Sequence, residues 1–179
     1  RLGESASQIK HLSEEAILRG IEAMKLLSIV AERTGSPVRA VATSAVREAS
    51  NGEDFIERVR SETGVEIEVI SGFEEARLIY LGVLQGLAVF NEKIAFFDIG
   101  GGSTEFLVGR QGRILYANSF KIGAIRMTQR FFPDERATSE QIEACRLYIR
   151  SEIYHAAEEI RRHGINRMIA TSGTAQTIA

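Results

Sequence analysis

The chain has 179 residues, of which 44% are hydrophobic and 26% charged, enough apolar material for one large domain or two small lobes and too much for a disordered chain. A net charge of -2 excludes a dominant nucleic-acid-binding surface, so an anionic ligand needs local help from backbone amides, a few arginines or a metal. The single cysteine, Cys145, excludes an internal disulfide framework and suits a reducing, cytoplasmic compartment; no apolar run is long enough to span a membrane and the start carries no signal-peptide pattern.

Ser13 reads as an N-cap, with Glu14 and Glu15 placed against the helix dipole. Ile17, Ile21, Met24 and Leu27 recur at helical spacing until Gly35-Ser-Pro37 stops the helix. Residues 38–42 form a buried strand, Thr43-Ser44 breaks into a short helical piece carrying Arg47 and Glu48, and Asn51-Gly52 is a turn. A helix over 54–63 and a strand over 65–70 follow. Ser71-Gly-Phe-Glu74 is a capping box in which Glu74 reaches back to the Ser71 amide, and its helix ends near Gly86. Strands are expected over 93–97, 104–108 and about 114–119, the last two joined by a Gln111-Gly112 turn.

Gly123 opens a helix through Phe131, and Thr138-Ser-Glu-Gln141 caps a long one with Ile142, Ile149, Ile153 and Ile160 on one stripe. Cys145 falls on the apolar side of that helix, as a core thiol would. Gly164 closes it, 168–171 is a strand, and Ser172-Gly-Thr174 leads into a last helix, within which the sequence stops as though cut from a longer protein. Helices alternating with strands, three of them joined by tight turns, specify an α/β fold with a partly antiparallel sheet. Arg39-Ala-Val-Ala-Thr-Ser-Ala45 and Arg167-Met-Ile-Ala-Thr-Ser-Gly173 echo one another, as two similar lobes would.

The most informative stretch is IAFFDIGGGSTEFLVG, residues 94–109. Three glycines allow unusual backbone angles and the close approach of a ligand to several N–H groups. Phosphate suits such a seat. The context is neither a dinucleotide fingerprint nor a P-loop, because Phe106-Leu-Val continues as a strand where those motifs need a helix. A plain flexible hairpin turn is the competing reading of the glycines. Asp98 and Glu105 tip the balance: a hairpin can bring both carboxylates to one mouth, and paired acids beside phosphate are costly unless a cation or an attacking water uses them.

With Ala42-Thr-Ser-Ala-Val-Arg-Glu-Ala49, Ile70-Ser-Gly-Phe-Glu-Glu-Ala-Arg77, Ile99-Gly-Gly-Gly-Ser-Thr-Glu105, Ile122-Gly-Ala-Ile-Arg126 and Ala170-Thr-Ser-Gly-Thr174 in this order, the sequence resembles the exopolyphosphatase/guanosine pentaphosphate phosphohydrolase family. The resemblance implies an actin-like, ribonuclease H-like two-lobe α/β fold with mixed sheets, divided here into residues 1–76 and 77–179. It implies hydrolysis of the terminal phosphate of inorganic polyphosphate or pppGpp with a divalent metal, Mg2+ or Mn2+, and a homodimer of the longer protein. By matching motif, Glu75 is the implied general base and Arg47 a phosphate-contacting cation. Asp98 and Glu105 bind metal or position water. Gly100, Gly101, Gly102, Ser103 and Thr104 cradle phosphate, with further anion contacts from Gly123, Arg126, Ser172, Gly173 and Thr174. An opening Asp-x-Gly-Ser-Asn-Ser motif is absent, since Arg1-Leu-Gly-Glu4 begins just past it.

The residues themselves favour Glu75 over Glu74. Glu74 is spent in the cap, whereas Glu75 is turned about 100° around the helix and free to project elsewhere. The ordinary alternative for Glu75 is a solvated first-turn carboxylate; for Arg47 it is an ion pair with Glu48, and for Arg126 a solvent-facing charge. Ser103 and Thr104 have no histidine beside them to make a nucleophile, so they read as hydrogen-bond donors, and His11, His155 and His163 as surface or packing residues. Two further functions compete with the hydrolase: an ATP-using kinase or ATPase of the same fold, and a sensor that binds guanosine tetra- or pentaphosphate without turnover.

Overall fold

A computed structural model describes residues 11–134 and 137–178; the Arg1–Glu4 stretch lies outside them. The backbone forms two compact units, Arg1–Ile70 and Ser71–Ala179. Sequence reasoning put the division at 76/77, inside a helix. That helix belongs to the second unit as a whole, because Ala76, Tyr80 and Val83 pack on the second sheet.

The first unit holds helix α1 (Glu14–Thr34), strand β1 (Ala40–Ala42), helices α2 (Ser44–Arg47) and α3 (Gly52–Thr63), and strand β2 (Ile67–Val69). Ser13 caps α1 by accepting the Ala16 amide, and Gly35 ends it at φ 62°, a backbone angle that costs a residue with a Cβ. Strands β1 and β2 pair in parallel from Ala40↔Ile67 to Ala42↔Val69. Leu12, Ile17, Ile21, Ala42, Val46, Phe55 and Val59 form the core. Leu27 is 59% exposed, off the buried stripe of α1, and Val41 is 44% exposed, so β1 is covered less than a buried strand would be. Asn51-Gly52 is a helix start, where the Asn51 amide side chain accepts from the Leu12 N–H at 2.8 Å and donates to its carbonyl at 2.9 Å.

The second unit runs α4 (Gly72–Gly86), β3 (Ile94–Ile99), β4 (Thr104–Arg110), β5 (Arg113–Phe120), α5 (Ala124–Phe131), α6 (Ser139–His163), β6 (Arg167–Thr171) and α7 (Ser172–Ile178). The sheet order is β5-β4-β3-β6, antiparallel across the first two pairs and parallel between β3 and β6. Gln111 at φ 52° and Gly112 at φ 75° make the tight β4–β5 connection. One sheet face, with Ile94, Phe96 and Leu107, packs on Ala76, Tyr80 and Val83 of α4. On the other, Phe106 stacks on Phe97, meets Phe120 edge to face, and borders Ile153, Ile160 and Met168. Buried Cys145 joins Ile122 and Met127 in a third cluster, with its thiol pKa pushed up by burial; Ile149 and Ile153 pack there too, while Ile142 is 43% exposed and leaves the expected stripe.

The two predicted capping boxes differ. At Thr138 both halves form. At Ser71 the hydroxyl accepts the Glu74 amide at 3.1 Å, and the Glu74 carboxylate clasps Arg77 through two bonds of 2.7 Å. The arginine one turn away offers a bidentate partner that a lone backbone amide cannot match.

Candidate active site

Strand register builds the site. Asp98 on β3 is the ladder partner of Glu105 on β4, Glu105 is the partner of Ser119 on β5, and Asp98 is the partner of Thr171 on β6. Directly paired residues share a sheet face, so these four side chains form one polar row across all four strands. It lies on the α4 side, one step beyond the apolar row of Phe96, Leu107, Ala117 and Ile169. Glu105 is 1% exposed and accepts a 2.8 Å hydrogen bond from Ser119 Oγ. Asp98 Oδ1 and Thr171 Oγ1 are buried with no hydrogen-bond partner among the described residues.

Helix α4 carries Glu75. Its C-terminus at Gly86 leads through a short loop to the start of β3, and Ala76, Tyr80 and Val83 seat the helix on this face of the sheet. Tyr80 stacks on Phe96 with ring centroids 6.5 Å apart. Glu75 Oε2 is buried, unlike that of a solvated first-turn carboxylate.

The glycine loop is held from below by α5. Its carbonyls accept from Gly123 N (Gly102 O, 3.3 Å), Ala124 N (Gly100 O, 2.9 Å) and Arg126 N (Gly101 O, 3.1 Å), and Arg126 Nε donates to Gly102 O at 2.8 Å. An ideal Cβ on Gly123 would lie 2.5 Å from backbone atoms of Gly101 and Gly102, which explains that glycine by packing. The helix start expected to receive an anion thus spends these amides, and Arg126 Nε, on the loop. Nor do Gly100 and Gly101 take positive φ; Gly100 is pinned by its N–H to the Ser103 carbonyl at 3.0 Å, and a Cβ on Gly101 would press Ile125 at 3.0 Å. Close approach, not left-handed geometry, is what their missing side chains supply.

Ser103 and Thr104 are both buried. Thr104 faces away from Glu105, since neighbours along a strand alternate, and its hydroxyl donates to the Ile122 carbonyl at 3.1 Å. Its proton serves the fold. Ser172 sits at φ 76°, a strained value for a serine, with Oγ donating to the Ile99 carbonyl at 2.9 Å; it closes the parallel β3–β6 pair beside the loop, and exposed Gly173 and half-buried Thr174 follow in α7. Arg47 belongs to the first unit, where its Nη1 donates to the Ile70 carbonyl at 2.5 Å; Glu48 accepts from Ser44 Oγ at 2.9 Å. Sequence reasoning passed over Ser119 and Thr171, whose only signal was a polar residue at an inward step of an apolar strand.

Known proteins of similar sequence and backbone bear on this geometry. The profile of the Ppx/GppA phosphatase family matches residues 1–179. An exopolyphosphatase from Cytophaga hutchinsonii is 31% identical with a TM-score of 0.92, over 99% of this chain and 57% of that one. A Ppx/GppA protein from Aquifex aeolicus is 30% identical with a TM-score of 0.77, over 99% of this chain and 56% of that one. An exopolyphosphatase-like protein is 31% identical with a TM-score of 0.88, over 99% and 57%. The chain thus spans little more than half the length of these solved structures. A match from end to end, at this identity and with this backbone agreement, places the chain in the Ppx/GppA phosphatase family.

Proposed function

We propose that the protein of which this chain is part is a phosphoanhydride hydrolase that releases the terminal phosphate of inorganic polyphosphate or pppGpp. The observation that carries the reading is the facing of Asp98 and Glu105 across the β3–β4 ladder, at the mouth of a glycine loop. Glu75 takes the proton from the attacking water; a carboxylate withdrawn from bulk solvent is suited to that work. The main chain of Gly100, Gly101, Gly102 and Ser103 seats the phosphoryl group, with the three glycine carbonyls turned onto α5 and the Ser103 carbonyl onto the Gly100 N–H, and so kept off the anion. Asp98 and Glu105 orient what lies between phosphate and base. Ser172 bonds the Ile99 carbonyl beside the same loop, and Gly173 and Thr174, which follow it, are proposed as further anion contacts. Arg47, whose Nη1 donates to the Ile70 carbonyl within the first unit, is proposed as a further phosphate contact.

A divalent cation fits these residues. Asp98 offers a buried carboxylate oxygen without a protein donor, and Glu105 a second carboxylate beside it. Among the described residues no group of three or more His, Cys, Asp or Glu is spaced to hold an ion. The two facing carboxylates suffice for Mg2+, which takes one or two carboxylates and fills its shell with water and substrate phosphate. Such a cation supplies charge neutralisation at the transferring phosphoryl group.

The test is phosphate release by the full-length protein, wild type and Glu75→Gln, from polyphosphate, pppGpp and ATP. The proposal expects release from one of the first two substrates, little from ATP, and a loss of about 100-fold or more in kcat in the variant. Preference for ATP would favour a kinase-like ATPase, tight binding without release would favour a sensor, and wild-type turnover by Glu75→Gln would remove the base.

A further inference from the structure

The polar row holds two orphaned atoms side by side. Asp98 Oδ1 and Thr171 Oγ1 are each buried without a hydrogen-bond partner among the described residues, and their residues are register partners on adjacent parallel strands. An unmatched buried oxygen is costly, and two of them meeting by accident on one rung is a poor account. A threonine hydroxyl can donate to a carboxylate, yet these two do not bond to each other. Strands lie about 4.8 Å apart, a gap that one water molecule spans with a bond of about 2.8 Å to each side. Such a water has two protein partners, within the range that holds buried waters in place.

We propose that Thr171 is a positioning residue which, with Asp98, fixes one shared water at the exit of β3, and through it sets the orientation of the Asp98 carboxylate. The chain invests in this placement. Ser172, the next residue, is held at φ 76° by its bond to the Ile99 carbonyl, which locks the end of β6 against the end of β3. Ser119 plays the matching part on the opposite flank, where its hydroxyl orients Glu105 at 2.8 Å. Both acids are thus each backed by a hydroxyl from the strand outside them, one directly and one through water. The inference rests on the hydrolase reading for its consequence in catalysis, but the shared water itself does not.

Thr171→Val removes the hydroxyl and keeps the shape, while Thr171→Ser keeps the hydroxyl. In the full-length protein, Thr171→Val is expected to lower kcat for phosphate release from polyphosphate about tenfold or more, with KM within about twofold. Thr171→Ser restores most of kcat. In thermal unfolding, Thr171→Val lowers Tm by about 2–4 °C, because the stranded water leaves Asp98 short of a donor. Asp98→Asn and Thr171→Val combine to less than their sum, the mark of a common ligand. A Tm for Thr171→Val equal to or above wild type, or additive effects of the two changes, overturns the shared water; an unchanged kcat overturns its role in positioning. If the wild-type protein releases no phosphate from either substrate, the hydrolase proposal fails by itself, and the unfolding cycle still decides the water.

Discussion

Gly123→Ala is the sharpest perturbation of the loop. The added Cβ would sit 2.5 Å from the carbonyl carbon and oxygen of Gly101 and the carbonyl carbon of Gly102, all main chain, so no side chain can swing aside. Carbon atoms need about 3.5 Å, so the start of α5 must retreat from the loop by about 1 Å. That retreat stretches four hydrogen bonds, those of Gly123 N, Ala124 N, Arg126 N and Arg126 Nε to the loop carbonyls, now between 2.8 and 3.3 Å. At a net worth near 1 kcal/mol each, with partial relaxation, the loss is about 3 kcal/mol. Urea unfolding of the full-length protein would then show a midpoint lowered by about 1 M, and hydrogen exchange would show faster amides at Ala124 and Arg126. A loop displaced by this much should also cost about 100-fold in kcat. Gly82→Ala makes the contrast: nothing lies within 4 Å of its Cβ on the exposed side of α4, so stability should rise, by about 0.5–1 kcal/mol. If Gly123→Ala leaves the midpoint within about 0.2 M of wild type, the buttress from α5 is not what shapes the loop.

Other expectations follow from single contacts. Gly109→Ala drives a Cβ to 2.5 Å from Tyr80 Cζ, and should lower stability by about 1–3 kcal/mol in denaturant titration while Tyr80→Leu in the same background recovers part of it. Cys145, buried and with its thiol pKa raised by burial, should resist maleimide in the native protein at neutral pH and react promptly in urea. Glu62 is held below its ordinary value of 4.5, first by the hydrogen bond from Lys25. Its contribution to stability is therefore complete above that value and lost as the pH falls through the lowered one, so Lys25→Gln should flatten the acid limb of a Tm-against-pH curve.

Much of the second unit could be read from the chain because its signals are local. The β4–β5 turn at Gln111-Gly112, the Thr138 box and the Gly164 stop each depend on residues within a few positions. The facing of Asp98 and Glu105 was within reach for the same reason, since a tight hairpin fixes its own register. What escaped depends on partners far along the chain. The pairing of Thr171 with Asp98 is a parallel contact whose register no short motif encodes. The consumption of the α5 amides by the glycine loop is visible only when residues 100–102 and 123–126 meet. Likewise the Arg47 bond to Ile70 and the Asn51 latch on Leu12 are long-range choices among many available acceptors. The exposure of Ile142 and Leu27 has the same origin: helical spacing marks a stripe, but how far the stripe stays covered depends on what packs against it.

The central claim is that the terminal phosphoryl group sits on the main chain of the glycine loop with Glu75 opposite. A crystal structure of full-length Glu75→Gln with tripolyphosphate addresses it directly. The account predicts a terminal phosphate within about 3 Å of loop amides between residues 100 and 103, with residue 75 and Asp98 on its open side. A terminal phosphate bound elsewhere, with the loop amides unengaged, would contradict it.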